Sequence, residues 1–537
     1  MNKFALLSSF VIFAVIISSI GCYSTYRRSS ATKDSEEYVS LANQTAPTAD
    51  VLVEQGVNAP KDISAAGNRY AEIEENPFLE VGRAPLSTFS IDVDTASYAN
   101  IRSIIEGGGL PPKDAVRIEE LINYFEYDYP QPIGDLPFAV KTEVASAPWA
   151  PGHKILQIGL QGKNIALDNL PPSNLVFLLD VSGSMQASNK LPLLVASLKT
   201  MLGSLNPQDR VAIVTYAGNS GIVLPSTPVA QSAKIIAALD DLEAGGGTAG
   251  GEGIRAAYGV AESNLIKNGN NRVILATDGD FNVGESSDEA LVSLIAQKRK
   301  SDIFLSVLGF GNGNLNDSMM EKISNAGNGN YAYIDSLSEA RKALGSQIAG
   351  TLFTIAKDVK IQVEFNPAKV AGYRLIGYEN RLLADKDFND DRKDAGEIGA
   401  GISVTALYEI VPAGEKVENP GGISLKYSGT NQSGTKFLDE LATVKLRYKT
   451  PRGDKSRMLS IGVLNTNTDI RLASADLKFV AALAQYGMLL RNSAYKGSAS
   501  YEKVSELAVA GRGSDLKNYR RDFAELVRKT AAIQGVE

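Results

Sequence analysis

The chain has 537 residues, too many for one compact core, which indicates roughly three or four folded units. It carries 54 basic against 61 acidic residues, a formal charge of −7, whereas nucleic-acid-binding proteins normally have a basic excess on at least one domain. A single cysteine, Cys22, excludes an intramolecular disulfide and a thiolate zinc cluster, and a single histidine, His153, excludes multi-histidine metal sites. We therefore expect no nucleic-acid partner. We also expect His153, in a turn-like stretch, to be solvated rather than catalytic.

The amino terminus has the zones of an export signal. Lys3 supplies the charge, an apolar run occupies Phe4–Ile20, and Gly21 and Cys22 follow. An uncleaved helical anchor is the alternative, because the run is at the short limit for crossing a bilayer. The segment resembles the lipobox of bacterial lipoproteins, although Ser19 stands where that motif usually has leucine. The resemblance implies a signal peptide over residues 1–22 and lipidation of Cys22. Both alternatives place the remaining chain outside the cytoplasmic membrane. Tyr23 follows the cysteine where some bacterial lipoproteins have an aspartate retention signal, which favours the outer membrane for a lipoprotein.

Two segments precede the main folded part. Residues 23–78 are rich in small polar residues and show little apolar periodicity, so we expect a disordered tether. Residues 79–135 contain a Pro111-Pro112 pair that leads into the amphipathic pattern Val116–Tyr124. This pattern predicts a small α-rich module.

From Leu175 the chain alternates short apolar runs with amphipathic stretches, which is typical of a parallel sheet wrapped by helices. The strand candidates are Leu175–Asp180, Arg210–Ala217, Gly221–Leu224, Arg272–Asp278, Ile303–Gly309 and Asn330–Ile334. Six helical stretches lie between and after them. The sequence therefore predicts a doubly wound six-stranded α/β domain over residues 170–352. In such sheets ligands bind at the carboxyl ends of the strands.

The segments on either side of this domain show an all-β pattern. Their strand candidates are Phe138–Val144, Lys154–Gln161, Asp358–Phe365, Gly372–Tyr378, Ile402–Ile410, Ala442–Tyr448 and Arg457–Gly462. We infer that residues 136–168 and 353–465 form one sandwich into which the α/β domain is inserted. Two helical patterns, Ala475–Arg491 and Glu502–Lys529, predict a helical region over 466–537 that packs on the sandwich.

Oxygen-bearing side chains follow two of the predicted parallel strands. Asp180-Val181-Ser182-Gly183-Ser184 comes directly after the first strand, and Asp278 ends the fourth. Thr248 lies in a glycine-rich stretch between them. A short Asp/Ser turn alone is common and often caps a helix. The glycine-rich stretch also matches a dinucleotide fingerprint, but it follows a predicted helix rather than a strand, so that interpretation fails on context.

The combined motif resembles the metal-ion-dependent adhesion site of von Willebrand factor type A (VWA) domains. The resemblance implies a metal site formed by five residues: Asp180, Ser182, Ser184, Thr248 and Asp278. Hydroxyl and carboxylate oxygens suit Mg²⁺, with Mn²⁺ or Ca²⁺ as alternatives. The family further implies that the aspartates act mostly through water and that an open metal position takes an Asp or Glu carboxylate of a partner protein.

The folded chain as a whole resembles the YfbK-like family of bacterial VWA lipoproteins. Phe89–Tyr98 and Leu110–Glu120 are similar to its amino-terminal module, and Val404–Ile410 to its carboxyl-terminal one. We therefore expect a lipid-anchored binding protein of the cell envelope, facing the periplasm or exterior, with no catalytic residues and no small-molecule substrate. Two alternatives stay open. One is an envelope assembly factor. The other is a metal-dependent hydrolase, for which general-base candidates are few because the motif contains no histidine or lysine.

Overall fold

The computed structural model describes residues 67–166, 169–217, 221–246, 250–279, 288–415, 417 and 439–535. The predicted signal peptide, Cys22 and Thr248 lie outside these residues. Among the described helices, none is long and apolar enough to cross a membrane.

The described chain begins with residues that the sequence assigns to the tether, and that assignment is wrong for residues 67–78. Asn68 accepts hydrogen bonds from two backbone amides of a distant loop, at 3.0 Å each. Asn76 and Phe78 are buried. This segment is held by contacts with the rest of the fold rather than by a helix or strand of its own. For that reason it has no periodicity that the sequence could show.

Two short strands, two helices and a β-hairpin follow. They are β1 (Leu79–Glu80), β2 (Leu86–Ser90), α1 (Ala96–Glu106), α2 (Ile118–Asn123), β3 (Phe138–Ser146) and β4 (Lys154–Gly162). β3 and β4 pair antiparallel along their full length. β1 and β2 pair with strands from much later in the chain. The residues predicted as one α-rich module are therefore divided between two sheets and a helical layer.

The α/β domain comes next. Its elements are β5 (Ser173–Asp180), α3 (Leu191–Leu202), β6 (Arg210–Tyr216), β7 (Gly221–Pro228), α4 (Ser232–Asp240), α5 (Gly250–Ser263), β8 (Asn270–Thr277), α6 (Asp288–Lys298), β9 (Ile303–Phe310), α7 (Asp317–Ala326), β10 (Tyr331–Ile334), α8 (Leu337–Arg341) and α9 (Ile348–Leu352). The strand order is β10-β9-β8-β5-β6-β7, and only β7 is antiparallel to its neighbour. β5 and β8 are buried along their whole length because helices cover both faces of the sheet. The predicted doubly wound fold is confirmed.

A β-sandwich surrounds this insertion. Its remaining strands are β11 (Thr354–Phe365), β12 (Val370–Ile376), β13 (Gly396–Gly399), β14 (Ser403–Pro412), β15 (Glu440–Lys449) and β16 (Arg457–Leu464). One sheet has the order β1-β12-β14-β4-β3, and the other has β13-β11-β15-β16 with β2 beside β11. β4, before the insertion, pairs with β14, after it, in continuous register. The apolar side chains of both sheets form one core, so the predicted sandwich with its inserted domain is confirmed.

Three helices end the described chain: α10 (Ala475–Leu490), α11 (Tyr501–Ala510) and α12 (Tyr519–Ile533). They share an apolar core with α1, α2 and side chains of the sandwich. The sequence predicts one helix over 502–529, and the structure corrects this to two. Gly511 ends α11 against α10, where a Cβ would lie 2.6 Å from the backbone nitrogen of Phe479, and Gly513 adopts φ +57°. Both positions favour glycine, Gly511 because a side chain would have no room and Gly513 because its backbone is left-handed.

Ionisable side chains are buried where α2 meets the α/β domain and the sandwich. Arg117 is 4% exposed and bonds both carboxylate oxygens of Asp317 as well as Glu120. Oε2 of neighbouring Glu119 has no hydrogen-bond partner within the described part of the chain. Burial is the main cause that raises the pKa of Glu119 to about 8 and that of Glu120 to about 7. This junction joins the modules through charge as well as apolar packing.

Candidate metal centre

The parallel register of three strands brings the predicted site together. In the sheet Asp180 of β5 lies beside Tyr216 of β6, and the preceding residue of β5 lies beside Ala276 of β8. Thr277 and Asp278 therefore leave β8 next to Asp180. A 3₁₀ turn, Gly183–Gln186, redirects the chain immediately after β5. Two aspartates nearly a hundred residues apart in sequence thus become neighbours at one edge of the sheet.

Both carboxylate oxygens of Asp180 are held by hydrogen bonds. The Ser182 backbone amide donates to Oδ1 at 2.9 Å, and the Tyr216 hydroxyl donates to Oδ2 at 3.0 Å. The Thr277 hydroxyl also donates to Oδ2, at 3.0 Å. Asp180 is fully buried. Burial raises the pKa of this carboxyl, and the nearby negative charge of Asp278 raises it further. The hydrogen bonds from Ser182 and Thr277 lower it, but by less. A cation at this edge would relieve that repulsion.

The two serine hydroxyls of the motif lie side by side. Ser182 Oγ and Ser184 Oγ are 2.9 Å apart. Adjacent ligands of an octahedral Mg²⁺, at about 2.05 Å from the ion, are separated by about 2.9 Å. Ser182 is buried, whereas Ser184 is exposed. The two hydroxyls are hydrogen-bonded to each other at a distance that adjacent Mg²⁺ ligands also have, and the pair faces solvent on the Ser184 side.

Asp278 is buried and bonded to a lysine. Lys190 Nζ donates to Asp278 Oδ2 at 2.8 Å and to Asn314 Oδ1 at 3.1 Å. Burial acts to raise the pKa of the Asp278 carboxyl, but hydrogen bonds with Lys190, Ser184 and Asn314 lower it below its usual value. The carboxylate is therefore ionised and positioned next to the Ser184 hydroxyl.

The glycine-rich loop that precedes Thr248 lies against the loop that follows β5. The Gly183 amide donates to the Gly246 carbonyl at 3.2 Å, and the Gly245 amide donates to the Val181 carbonyl at 2.8 Å. Asp180, Ser182, Ser184 and Asp278 are thus brought together by the fold. Thr248 stays a prediction, because it lies outside the described residues.

The sequence analysis missed four residues of this centre. Thr277 and Tyr216 could have been found, since one precedes Asp278 and the other ends the strand beside β5. Lys190 and Asn314 carry no such signal, because each is one of several polar residues in its loop. The motif itself contains no lysine, as the sequence analysis states. In the structure, however, Lys190, six residues after Ser184, forms an ion pair with Asp278.

The residues present fit a small divalent ion. Within the described ranges no group of three or more His, Cys, Asp and Glu side chains is arranged to hold a metal. The centre instead combines two carboxylates with neighbouring hydroxyls, which are the hard oxygen donors that Mg²⁺ prefers. Asp180 and Asp278 supply the charge, and Ser182 and Ser184 supply neutral donors.

His153 lies away from this centre, in the turn between β3 and β4. Its Nδ1 is 2.7 Å from Oε1 of the buried Glu409, and its ring packs edge-on against Phe78. The expectation of a solvated turn residue is therefore wrong, because β14 and the segment before β1 cover this turn. The His153 ring is therefore part of the side-chain packing of the sandwich.

Comparison with known proteins identifies the family. The chain is 44% identical over 478 residues to the protein YfbK of Escherichia coli (strain K12), a match that covers 87% of this chain and 82% of that protein. The chain belongs to the YfbK family. Three family matches divide it: von Willebrand factor at residues 64–157, the von Willebrand factor type A domain at 174–347, and the YfbK carboxyl-terminal region at 350–533. A VWA domain indicates protein–protein interaction or adhesion, and such domains often bind a divalent metal.

More distant relatives share part of the YfbK-family chain. Inter-alpha-trypsin inhibitor heavy chain H3 of Pongo abelii is 24% identical over 287 residues, which cover 49% of this chain and 32% of that protein. A solved von Willebrand factor type A structure from Catenulispora acidiphila is 16% identical and covers 74% of this chain and 91% of its own, with a TM-score of 0.39.

Proposed function

We propose that this YfbK-family member is a lipid-anchored protein of the bacterial cell envelope that binds a protein partner through a Mg²⁺-dependent site. One observation carries the proposal: Asp180, Ser182, Ser184 and Asp278 converge at one edge of the sheet. Hydrogen bonds hold the two aspartates, and the two serine hydroxyls lie 2.9 Å apart, a distance compatible with adjacent ligands of one ion. This is the edge at which open α/β sheets bind their ligands.

Each residue has a distinct part in the proposed site. Ser182 and Ser184 would hold the ion through their hydroxyls, with Thr248 as a third hydroxyl. Asp180 and Asp278 would act mostly through water. A bound Mg²⁺ supplies an electrophilic position for an Asp or Glu carboxylate of the partner. That carboxylate would approach from the side of Ser184, which is exposed.

The amino-terminal residues support the proposed anchor. Cys22 follows the apolar run Phe4–Ile20, and lipidation there would attach the folded part to a membrane facing the periplasm or the exterior. The polar residues after Cys22 would serve as a spacer between the membrane and the folded part.

A binding role accounts for the site better than catalysis does. The only histidine, His153, is bonded to Glu409 in the sandwich, and the Lys190 ammonium is bonded to Asp278. Both carboxylates of the site are also engaged. A general base at this centre would have to come from outside these groups.

The test is direct metal binding, followed by metal-dependent capture of a partner. We expect the purified full chain to bind Mn²⁺, a spectroscopic substitute for Mg²⁺, and Asp180→Asn and Ser184→Ala to bind it at least tenfold more weakly. Ser184 is exposed, so its variant should fold. Asp241→Ala, which changes an exposed carboxylate after α4, is the matched control. Proteins captured from envelope extract should disappear with chelator and with either site variant. Identical capture in every case would refute the proposal.

A further inference from the structure

Lys190 is placed at the metal centre by the backbone on both sides of it. Its amide donates to the Ala187 carbonyl at 2.9 Å, and its carbonyl accepts from the Leu194 amide at 2.8 Å. The residue stands immediately before α3, and its side chain runs inward with 10% of its surface exposed. The backbone hydrogen bonds therefore fix the position from which the Lys190 side chain reaches Asp278.

The methylene groups of Lys190 pack against Gly311, in space that a side chain at position 311 would occupy. A Cβ on Gly311 would lie 2.4 Å from Lys190 Cε and 2.6 Å from Cγ, and Gly311 has φ +71°, a conformation that favours glycine. Asn314, from the same loop after β9, accepts from the ammonium. The loop and Asp278 together hold the ammonium in one place, whereas an exposed lysine moves freely.

A charge fixed in this position changes the electrostatics of the centre. Among the described residues in contact at the site, Asp180 and Asp278 carry one negative charge each and Lys190 carries one positive charge. A divalent ion added to these three leaves one net positive charge. The same ion added to the two aspartates alone would leave none. An ammonium within a few ångströms repels a divalent cation and attracts a carboxylate.

We infer that Lys190 is a built-in positive charge that weakens binding of the bare metal ion and makes the metal-loaded site favour an anionic ligand. The inference rests on the proposed function, since it concerns the same site. Metal and the partner carboxylate then bind cooperatively, because each supplies charge that the other needs. The site is only weakly occupied by metal alone and is completed when an acidic partner arrives.

The test compares Mn²⁺ binding by the full chain with that of two neutral variants. Lys190→Met removes the charge and the hydrogen bonds, whereas Lys190→Gln removes the charge and keeps a donor. We expect both to bind Mn²⁺ about tenfold tighter or more than the parent chain, measured from free Mn²⁺ by electron paramagnetic resonance. Lys234→Met, which changes an exposed lysine on α4, should leave the affinity unchanged. Equal or weaker binding by both Lys190 variants would overturn the inference.

Acetate serves as the carboxylate probe in the second measurement. At constant ionic strength, replacing chloride with acetate should tighten Mn²⁺ binding by the parent chain, and should do so less in both Lys190 variants. An equal acetate effect in all three proteins also overturns the inference. Failure of the proposed function looks different, since the parent chain itself would then bind no Mn²⁺.

Discussion

The buried junction beside α2 predicts an unusual dependence of stability on pH. Burial, reinforced by the negative charge of Glu379, raises the pKa of Glu119 from 4.5 to about 8 against the opposing charge of Arg491. One oxygen of Glu119 has no hydrogen-bond partner in the described part of the chain, so ionisation there is not compensated locally. Glutamine has the same shape as the protonated side chain. Glu119→Gln therefore removes the ionisation while keeping the packing.

The magnitude follows from the two pKa values. Below pH 4.5 the Glu119 carboxyl is protonated in both the folded and the unfolded chain, so it costs nothing. Between pH 4.5 and 8 the unfolded chain releases this proton and the folded chain retains it, so folding becomes progressively less favourable. Each pKa unit corresponds to about 1.4 kcal/mol, which gives a loss of at most about 5 kcal/mol above pH 8. The parent chain should therefore be more stable at pH 5 than at pH 8.5.

The chain contains its own reporter for this experiment. Trp149 is its single tryptophan, is 1% exposed, and belongs to the same apolar core as α2. Urea unfolding followed by its fluorescence should show a smaller loss of stability between pH 5 and 8.5 in Glu119→Gln than in the parent chain, by several kcal/mol. Glu106→Gln, an exposed position at the end of α1, should behave like the parent. If Glu119→Gln kept the full pH dependence, the argument from burial would be refuted.

Three further substitutions test other parts of the structure. Arg117→Met should destabilise the fold by about 3–5 kcal/mol in urea unfolding, because it leaves its buried carboxylate partners without a cation. Gly311→Ala should cost about 1–2 kcal/mol for its left-handed backbone and should also displace Lys190, which a change in Mn²⁺ affinity would report. Asn68→Ala should accelerate hydrogen exchange of the two loop amides that donate to it and cost about 1–2 kcal/mol.

Much of the fold could be predicted because its signals are local. Buried parallel strands appear as short apolar runs, and their carboxyl ends must meet at one edge of the sheet, which is why Asp180 and Asp278 could be paired from sequence. The sandwich followed from similar alternating patterns on both sides of the inserted domain. Each of these features repeats with the period of its own secondary structure.

The remaining features depend on contacts between residues far apart in the chain. Arg117 meets Asp317 across 200 positions, and Lys190 meets Asp278 across 88. Neither contact produces a periodic pattern or a motif in the sequence, so neither could be predicted from it. The break between α11 and α12 has a similar cause, because Gly511 is required by the approach of α10 and not by the helix that it ends.

The candidate metal centre and the insertion points lie at opposite ends of the α/β sheet. The chain enters β5 at Ser173 and reaches Asp180 about 23 Å further on, at 3.3 Å per residue. Near the entry end, Arg272 at the start of β8 donates to the carbonyl of Leu352, just before β11. The sandwich can therefore hold the domain without covering the site. One rim of the site still depends on residues outside the domain, since Asn68 holds the loop whose Asn314 accepts from Lys190. The candidate metal site therefore lies within the α/β domain, but the position of one loop beside it is fixed by a contact with the amino-terminal segment.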